Sequence, residues 1–434
     1  MLNSVWAKDV QLPKFPALEG DAKTDVLIVG GGMAGLLIAH KLTKAGVDNL
    51  LIEADRICHG VTRNTTAKIT SQHGLIYDKL ARMFNDDTAK RYYQANQDAI
   101  GQFRLLAKDI PCDFAEQSSY VYTKALSKKF DTEMQALQRL KIPFELAKDT
   151  QLPFSVSGAI RFRRQGQFHP LLFAAVIAQD LNIRENTRFL AFDGSNVITN
   201  RGKINAKCIV MATHFPILNK HGSYFLKMFQ ERSYVIALNG VKMPEGMYRE
   251  ADTNGLSFRT FGEFLLIGGN SHRTGKPTTG WLPLQKAAEK YYPGARIACQ
   301  WATQDCMTLD HMPYIGQYSR NTPRLFVATG FNKWGMTGSM VAATVLCDML
   351  EGKETPYGGI FSPSRSILHK QLLVNGISSA ANLLTPTKPR CPHLGCALKW
   401  NPQEHSWDCP CHGSRFTKDG KLLDNPSNGD LPQK

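Results

Sequence analysis

The stretch DVLIVGGGMAGLLIAHKLTKAGVDNLLIEAD, residues 25–55, decides the fold of this chain of 434 residues. It opens with an apolar, β-branched run that predicts a buried parallel strand. Three glycines, Gly30, Gly32 and Gly35, follow in a Gly-x-Gly-x-x-Gly pattern and lead into a helical pattern of apolar residues. A second apolar run then ends at Glu53. Strand, glycines, helix, strand and acid in this order predict a nucleotide-binding βαβ unit.

Each part of this unit has a physical role. Gly30 permits the tight turn, Gly32 lets the backbone approach a pyrophosphate, and Gly35 lets the helix pack closely on the strand. The helix N-terminus offers free N–H groups and a partial positive charge to the phosphates. Glu53 follows Gly35 by 18 residues, a spacing at which a carboxylate accepts hydrogen bonds from a ribose.

The segment after Glu53 favours FAD over NAD. It supplies Gly60, Thr62, Thr65 and Thr66 where a nicotinamide-binding domain would pass directly into another helix. Small and hydroxyl-bearing residues at this point suit the diphosphate and ribityl chain of a larger cofactor.

These motifs resemble those of the D-amino acid oxidase and glycine oxidase superfamily of FAD enzymes. The resemblance extends to about residue 350 and includes CIVMATHFP (208–216), TLDHMPYIG (308–316) and ATGFNKWGMTGSMVAATVLCDML (328–350). In the last two segments Asp310, Gly316, Gly330, Gly335 and Thr337 match the family's closing motif. A helix that begins near Gly335 could stabilise negative charge on a reduced flavin.

Motif and resemblance together predict a set of FAD-binding residues. They are Gly30, Gly32, Met33, Ala34, Gly35, Glu53, Gly60, Thr62, Thr65, Thr66, Ala212, Thr213, Gly330, Gly335, Met336 and Thr337. Only one dinucleotide fingerprint is present, so we expect the electrons to come from an organic small-molecule substrate and not from a nicotinamide.

The family comparison implies an α/β fold: a Rossmann-like FAD-binding domain with an inserted antiparallel-sheet substrate domain. We assign 21–78, 155–217 and 305–352 to the FAD-binding domain, and 79–154 and 218–304 to the substrate domain. Helical patterns at 78–107 and 128–139, short strands at 120–123, 159–163 and 234–238, and a hairpin at 257–269 with Gly262 near its turn support this assignment.

No catalytic residue is assigned. We interpret His169 as a helix-start or packing histidine, ahead of an acid or base. Glycine oxidase-like relatives carry a carboxylate-binding arginine five residues before the aspartate that corresponds to Asp310, but Asp305 stands there. An ordinary amino-acid substrate is therefore in doubt. Arg259 or Arg273 could supply the missing charge, although solvated arginines are the preferred interpretation.

The tail RCPHLGCALKWNPQEHSWDCPCHGSRF, residues 390–416, holds the densest set of soft metal ligands. Cys391-x-His393 and Cys409-x-x-His412 form two pairs of one thiolate and one imidazole each, and this donor set suits zinc or an iron–sulfur centre. The six cysteines that precede this tail are scattered without ligand spacing, so we interpret them as idle thiols.

The tail resembles the Rieske [2Fe–2S] domain, through HLGC and CPCHGS above all. The resemblance implies that Cys391 and Cys409 hold one iron and that His393 and His412 hold the other. It also implies a disulfide between Cys396 and Cys411. We expect a cluster module at 390–434, a tether with a helix at 353–389 in place of the usual preceding strands, and a last hairpin near GKLLDNP.

Both modules together predict an FAD-dependent dehydrogenase. It would oxidise an amine or related small substrate and pass electrons singly through the Rieske cluster to an external one-electron acceptor. The alternative is a redox-sensing or RNA-associated flavoprotein with a structural cluster.

Composition bears on partners and on location. The formal net charge is +15, but lysines and arginines are scattered, so we expect no nucleic-acid partner, and peripheral contact with an acidic membrane stays open. No apolar run has membrane-spanning length, and the first 20 residues lack the pattern of a secretory signal, so we expect a cytoplasmic protein.

Overall fold

The computed structural model describes residues 3–8, 10–125, 127–218, 221–242, 244–252, 254–366 and 389–432. Helices in these ranges are α1 (Met33–Lys44), α2 (Val61–Asn64), α3 (Tyr77–Met83), α4 (Asp86–Leu106), α5 (Lys128–Arg139), α6 (Pro170–Ile177), α7 (Tyr224–Lys227), α8 (Leu282–Tyr291) and α9 (Gly335–Leu350). None of these described helices is both long and apolar enough to cross a bilayer.

The strands assemble into three sheets. In chain order they are β1 (Ala22–Val29), β2 (Asn49–Ile52), β3 (Lys68–Ile69), β4 (Ala115–Thr123), β5 (Glu145–Ala147), β6 (Gly158–Gln167), β7 (Ile183–Arg184), β8 (Phe189–Asp193), β9 (Asn196–Thr199), β10 (Lys203–Met211), β11 (Met228–Asn239), β12 (Met247–Glu250), β13 (Ser257–Phe261), β14 (Phe264–Arg273), β15 (Arg296–Thr308), β16 (Tyr314–Gln317), β17 (Leu325–Thr329), β18 (Lys399–Asn401), β19 (Ser406–Asp408), β20 (Arg415–Thr417) and β21 (Leu422–Asp424).

The first sheet is the predicted nucleotide-binding sheet. Its strand order is β16-β17-β10-β1-β2-β7, with β8 and β9 attached beside β10. β1 pairs in parallel with β2 and β10, and its last four residues are buried. Helices α1 and α9 pack together, and the small side chains of Ala342 and Ala343 are fully buried in that layer. Buried parallel strands covered by helices explain why 26–29 reads as a continuous apolar run.

The second sheet has nine strands in the order β15-β11-β14-β13-β12-β4-β6-β3, with β5 beside β6. Its described strand pairs are antiparallel except for β12 and β4, which pair in parallel. The predicted hairpin is present: β13 and β14 pair from Ser257↔Gly268 to Phe261↔Phe264, with Gly262 in the turn at φ +52°. The α/β fold class, with a largely antiparallel second sheet, is confirmed.

The prediction of one continuous helix at 78–107 is wrong. The chain forms α3 and then α4, separated at Phe84–Asn85. Asn85 has extended backbone, and its side-chain oxygen accepts a hydrogen bond of 2.8 Å from the Thr88 amide. Asparagine satisfies an otherwise unpaired helix donor in this way, so a new helix starts there.

The third sheet is the C-terminal module, with the antiparallel order β18-β19-β20-β21. β18 and β19 connect the two cysteine–histidine loops, and β20 and β21 form the predicted last hairpin. Most of the predicted tether, together with its predicted helix, lies outside the described residues.

The domain boundaries stay a prediction. β6 lies within the segment 155–217 that we assigned to the FAD-binding domain, yet it pairs with β4 in the second sheet. β15 likewise extends to Thr308, past the assigned boundary at 305, because it pairs with β11 along almost all of its length.

Candidate functional site

A cavity of about 580 Å³ lies where the three sheets meet. Its wall includes the glycine-rich turn before α1, strand residues of the second sheet and residues 422–425 of the C-terminal module. All the predicted FAD-binding residues except Gly35, Gly330 and Thr337 line it. The sequence prediction therefore converges on one cavity.

The glycine-rich turn is sterically required. Gly30 has φ +113°, and a Cβ there would lie 2.7 Å from the carbonyl oxygen of Ala212. A Cβ on Gly35 would lie 1.9 Å from the carbonyl oxygen of Gly30. The turn thus leaves its backbone open to the cavity while α1 packs tightly on β1, an arrangement that fits a dinucleotide pyrophosphate.

Glu53 braces this turn. Its carboxylate accepts hydrogen bonds from the amides of Gly31 at 2.7 Å and Asp55 at 3.0 Å. Burial raises the pKa of Glu53, and the two amide donors oppose that shift. Because the carboxylate lies at the cavity wall, it can hold the loop and still meet a ribose hydroxyl.

Thr62 connects the segment after Glu53 to α1. Its hydroxyl oxygen accepts a hydrogen bond of 3.0 Å from the Met33 amide, the first residue of α1. Thr65 and Thr66 line the cavity beside it. The chain is fixed here by Trp6, whose indole donates to the Thr65 carbonyl at 2.7 Å.

Three predicted FAD-binding residues lie behind the cavity wall. Gly35 packs against the carbonyl of Gly30, in the close contact between α1 and the glycine-rich turn. Gly330 has φ +72°, and a Cβ there would lie 2.3 Å from the Thr308 side chain. The Thr337 hydroxyl lies 3.3 Å from the Thr70 carbonyl oxygen. Contact of these three residues with the cofactor stays a prediction.

The four predicted cluster ligands form two close pairs. The thiols of Cys391 and Cys409 are buried and hydrogen-bonded to each other, and the His393 and His412 rings lie 5.0 Å apart between centroids. Burial lowers the pKa of His393 to about 4 and that of His412 to about 3, so both imidazoles are neutral at pH 7, as metal ligation requires. The buried Nδ1 of His412 has no hydrogen-bond partner among the described residues. This donor set fits a [2Fe–2S] cluster.

The structure also joins Cys396 to Cys411 in a disulfide, with Cα atoms 6.7 Å apart, as the family resemblance implies. The sulfurs of Cys396, Cys409 and Cys411 lie within 4.8 Å of one another. Two of those sulfurs are bonded to each other in the disulfide, so Cys409 is the one available as a ligand, in company with Cys391.

The module is docked against the second sheet. The Gln230 side chain, on β11, donates to the carbonyl of His412 at 2.8 Å, and the Gln304 side chain, on β15, donates to that of Gly413 at 2.8 Å. A Cβ on Gly413 would lie 2.6 Å from the Gln230 Cβ, so only glycine permits this approach. Cys306, which lines the cavity, lies 3.8 Å from the Gln230 side-chain oxygen.

Charged groups complete the docking surface. Glu404 of the module pairs with Arg232 of β11 and, at 2.9 Å, with Arg415 of its own sheet. Arg415 also contacts Asp408 at 2.9 Å and Asp424 at 3.0 Å. Burial alone would raise the pKa of Glu404, but the two guanidinium groups outweigh it and hold the pKa at about 2.

Two arginines named from the sequence are not solvated. Arg259 is 1% exposed and donates to the carbonyls of Thr66 and Ala67. Arg273 donates to the carbonyls of Pro410 and Cys411 in the cluster module. The solvated interpretation is wrong because each guanidinium finds backbone carbonyls from a segment distant in sequence.

His169 follows the preferred interpretation. It is the N-cap of α6, and its Nδ1 accepts a hydrogen bond of 3.2 Å from the Leu172 amide. The role is structural, at the start of a helix.

Sequence reasoning missed several charged residues at the cavity wall, among them Lys68, Arg188, Arg249 and Lys333. Asp305, noted from the sequence, lies there too. Burial raises the pKa of Asp305 to about 6, against the opposing effect of Lys333. No sequence motif marks Arg249. It lies at the cavity because β12 places it close to Trp334.

Comparison with known proteins places both modules. The family model for FAD dependent oxidoreductases matches residues 25–349, and that for the Rieske [2Fe-2S] domain matches residues 366–433. YhfW of Bacillus subtilis (strain 168), named as a Rieske 2Fe-2S iron-sulfur protein, is 36% identical over 491 aligned positions, covering 99% of this chain and 96% of YhfW. Gamma-glutamylputrescine oxidoreductase of Escherichia coli (strain K12) is 22% identical, covering 78% of this chain and 86% of that protein.

Solved structures share the fold of the first two sheets. Glycine oxidase from Geobacillus kaustophilus superposes with a TM-score of 0.67 at 20% identity, and the match covers 80% of this chain and 100% of the glycine oxidase chain. L-proline dehydrogenase from P. horikoshii gives a TM-score of 0.66 at 19% identity, with coverage of 80% and 98%.

Proposed function

Because this chain belongs to the family of FAD dependent oxidoreductases and carries a Rieske [2Fe-2S] domain, we propose that it is a dehydrogenase for an amine or related small substrate whose electrons leave through the cluster. FAD supplies two-electron chemistry and the cluster one-electron chemistry. The proposed FAD-binding residues are those predicted from the sequence, and the proposed cluster ligands are Cys391, His393, Cys409 and His412.

One observation carries the proposal: the cluster loop docks on the strands that form the cavity wall. Gln230 contacts His412 on one side and Cys306 on the other. Residues 422–425 of the module themselves line the cavity. A module that served only as a remote clamp would have no need to form part of the wall of the flavin site.

The chain's own residues prepare the site for this task. The glycine turn and the α1 N-terminus receive the phosphates, and Glu53 fixes that turn. The start of α9, at Gly335 and Met336, lines the cavity, so the partial positive charge of this helix end can stabilise negative charge there. The docked module covers one side of the cavity. Neutral His393 and His412 leave ring nitrogens available to metal.

The external acceptor belongs to the proposal as well. A cluster that takes one electron at a time from a two-electron donor needs a partner that removes each electron. We therefore propose a one-electron acceptor as the physiological partner.

An anaerobic titration tests the proposal. Protein that carries both cofactors is mixed with amines, amino acids and hydroxy acids while flavin absorbance and the electron-spin signal of the cluster are followed. We expect flavin bleaching with an amine, followed by cluster reduction. Bleaching while the cluster stays oxidised would remove the cluster from the path. Absence of bleaching with every compound would remove the substrate class, and salt-sensitive RNA binding would then favour the alternative.

A further inference from the structure

We propose that Arg249 binds an oxyanionic group of the substrate inside the cavity, in place of the arginine that glycine oxidase-like relatives carry at the position of Asp305. The inference rests on the proposed function and names a feature of the substrate: a carboxylate or a phosphate at one end. Arg249 belongs to β12, whereas Asp305 belongs to β15. The anionic end of the substrate would therefore be held from a different strand.

Arg249 faces the cavity without a protein counterion. Among the described residues its side chain makes no hydrogen bond and no ion pair, and its guanidinium lies 5.7 Å from the centroid of the Trp334 ring. Removing a guanidinium from bulk water is costly unless an anion or several hydrogen-bond acceptors replace the lost water. A ligand oxyanion would supply that replacement.

Two other arginines near the cavity are already paired. Arg259 donates to the backbone carbonyls of Thr66 and Ala67. Arg232 is paired with Glu404.

Of the arginines that line the cavity, Arg56 is paired with Glu185. Arg188, between β7 and β8 of the first sheet, has no side-chain partner among the described residues either. Arg249 is therefore the arginine on the second-sheet wall that retains its donors for a ligand.

The charges around Arg249 favour an anion. Lys68 lines the same cavity, and its Nζ donates to the carbonyl of Tyr248, the neighbour of Arg249 in β12, at 3.0 Å. The acids that act on Arg249 are Glu231 and Asp305, neither within ion-pair distance of it. Glu231 is paired with Lys333 at 3.0 Å.

The cavity wall thus carries both signs of charge. Arg249 and Lys68 supply cations and Asp305 supplies a carboxyl. Lys333 is paired with Glu231, the cross-strand neighbour of Asp305. Such a wall suits a substrate with an oxyanion at one end and an amine at the other. Guanidinium donors bind an oxyanion through two parallel hydrogen bonds, so they also fix the orientation of the substrate.

The competing role for Arg249 is contact with the cofactor. The pyrophosphate site predicted at the α1 N-terminus belongs to the first sheet, whereas Arg249 belongs to the second sheet and lies near Trp334, at the start of α9. Cofactor content and anion affinity therefore separate the two roles.

The test measures anion binding without turnover. Holoprotein is titrated with propionate, with inorganic phosphate and with propylamine, and the flavin absorption change gives each dissociation constant. Variants are Arg249→Met, Arg249→Lys and, as a control, Arg296→Met, which alters an exposed arginine on β15. We expect one of the two anions to bind roughly 10- to 100-fold more weakly to Arg249→Met, with propylamine unchanged.

Each outcome decides the proposal. Whether propionate or phosphate is the sensitive probe distinguishes a carboxylate from a phosphate on the substrate. Equal constants in wild type and Arg249→Met, or no anion binding to wild type, overturn the proposal. If Arg249→Met does not retain FAD, the Arg249→Lys variant decides. An anion dissociation constant between the values expected for wild type and Arg249→Met supports the proposal, and a constant equal to that of wild type overturns it. Because nothing is reduced, a failed amine oxidation leaves this result intact.

Discussion

The side-chain amide of Gln230 donates a hydrogen bond of 2.8 Å to the backbone carbonyl of His412, and so joins β11 directly to a cluster loop. The same nitrogen donates to the carbonyl of Asn425 at 2.8 Å. Gln230 is 1% exposed. Since one side chain satisfies two carbonyls of the module, it is a main determinant of docking.

The change Gln230→Leu should weaken this docking. The carbonyls of His412 and Asn425 would lose a buried donor, at a cost of about 1–3 kcal/mol. We expect faster amide hydrogen exchange in residues 409–413 and slower flavin-to-cluster electron transfer after flash photoreduction. Gln138→Leu, at an exposed position on α5, should change neither. Unaltered exchange and transfer in Gln230→Leu would show that docking does not depend on this contact.

Replacing His412 by Cys should lower the cluster potential, if a cluster assembles. A thiolate stabilises oxidised iron more than imidazole does, and imidazole ligation is what raises Rieske potentials. Electron flow to an outside acceptor should slow while the substrate still reduces the flavin. A redox titration followed by electron-spin spectra gives the potential, and His405→Cys, an exposed non-ligand position of the module, is the control. Turnover unchanged with every acceptor would exclude the cluster from the path.

Acid should undock the module through Glu404. Its pKa is about 2 in the folded protein against an ordinary value of 4.5. A carboxyl with a lowered folded pKa contributes stability above its unfolded pKa and loses it as the pH falls, here from about 4.5 towards 2. Urea unfolding should show Glu404→Gln less stable than wild type at pH 7, and this difference in stability should shrink as the pH falls from about 4.5 towards 2. Glu263→Gln, at an exposed turn, should match wild type throughout.

Gly35→Ala should abolish FAD retention. A Cβ would lie 1.9 Å from the Gly30 carbonyl oxygen, so either α1 or the turn must move. Gly101→Ala is the matched control because that glycine lies in α4 and a Cβ added to it would meet nothing within 4 Å. It should retain FAD and gain up to about 1 kcal/mol in stability. Flavin content after gel filtration and thermal unfolding distinguish the two, and full FAD content in Gly35→Ala would contradict the packing argument.

Oxyanion binding should tighten as the pH falls through about 7. Burial, with the nearby charges of Arg249 and Arg259, lowers the pKa of Lys68 to about 7, so the lysine gains its charge in this range. Asp305, with a pKa of about 6, loses charge at lower pH and acts in the same direction. In Lys68→Met the pH dependence of the flavin titration should therefore shift to a midpoint near 6. An identical profile in wild type and Lys68→Met would exclude Lys68.

Local patterns in the sequence determined the chemistry of this protein. The glycine turn, the acid at 53 and the two cysteine–histidine loops are readable because a few neighbouring residues must meet one steric or ligand-geometry requirement. α5 was predicted at its observed bounds for the same reason, since its apolar periodicity is local. The break at Asn85 was not predicted because asparagine also occurs in the interior of helices. Its presence within a helical pattern therefore does not mark the start of a new helix.

Only the tertiary structure decided which distant residues share the cavity and what covers it. Arg259 and Arg249 are ten residues apart and look alike in the sequence, yet one is bound to the carbonyls of Thr66 and Ala67 while the other faces the cavity without a counterion. Gln230 and His412 are 182 residues apart. Such contacts depend on how whole sheets pack, and the burial and pairing of a polar side chain follow from that packing and not from its neighbours in the chain.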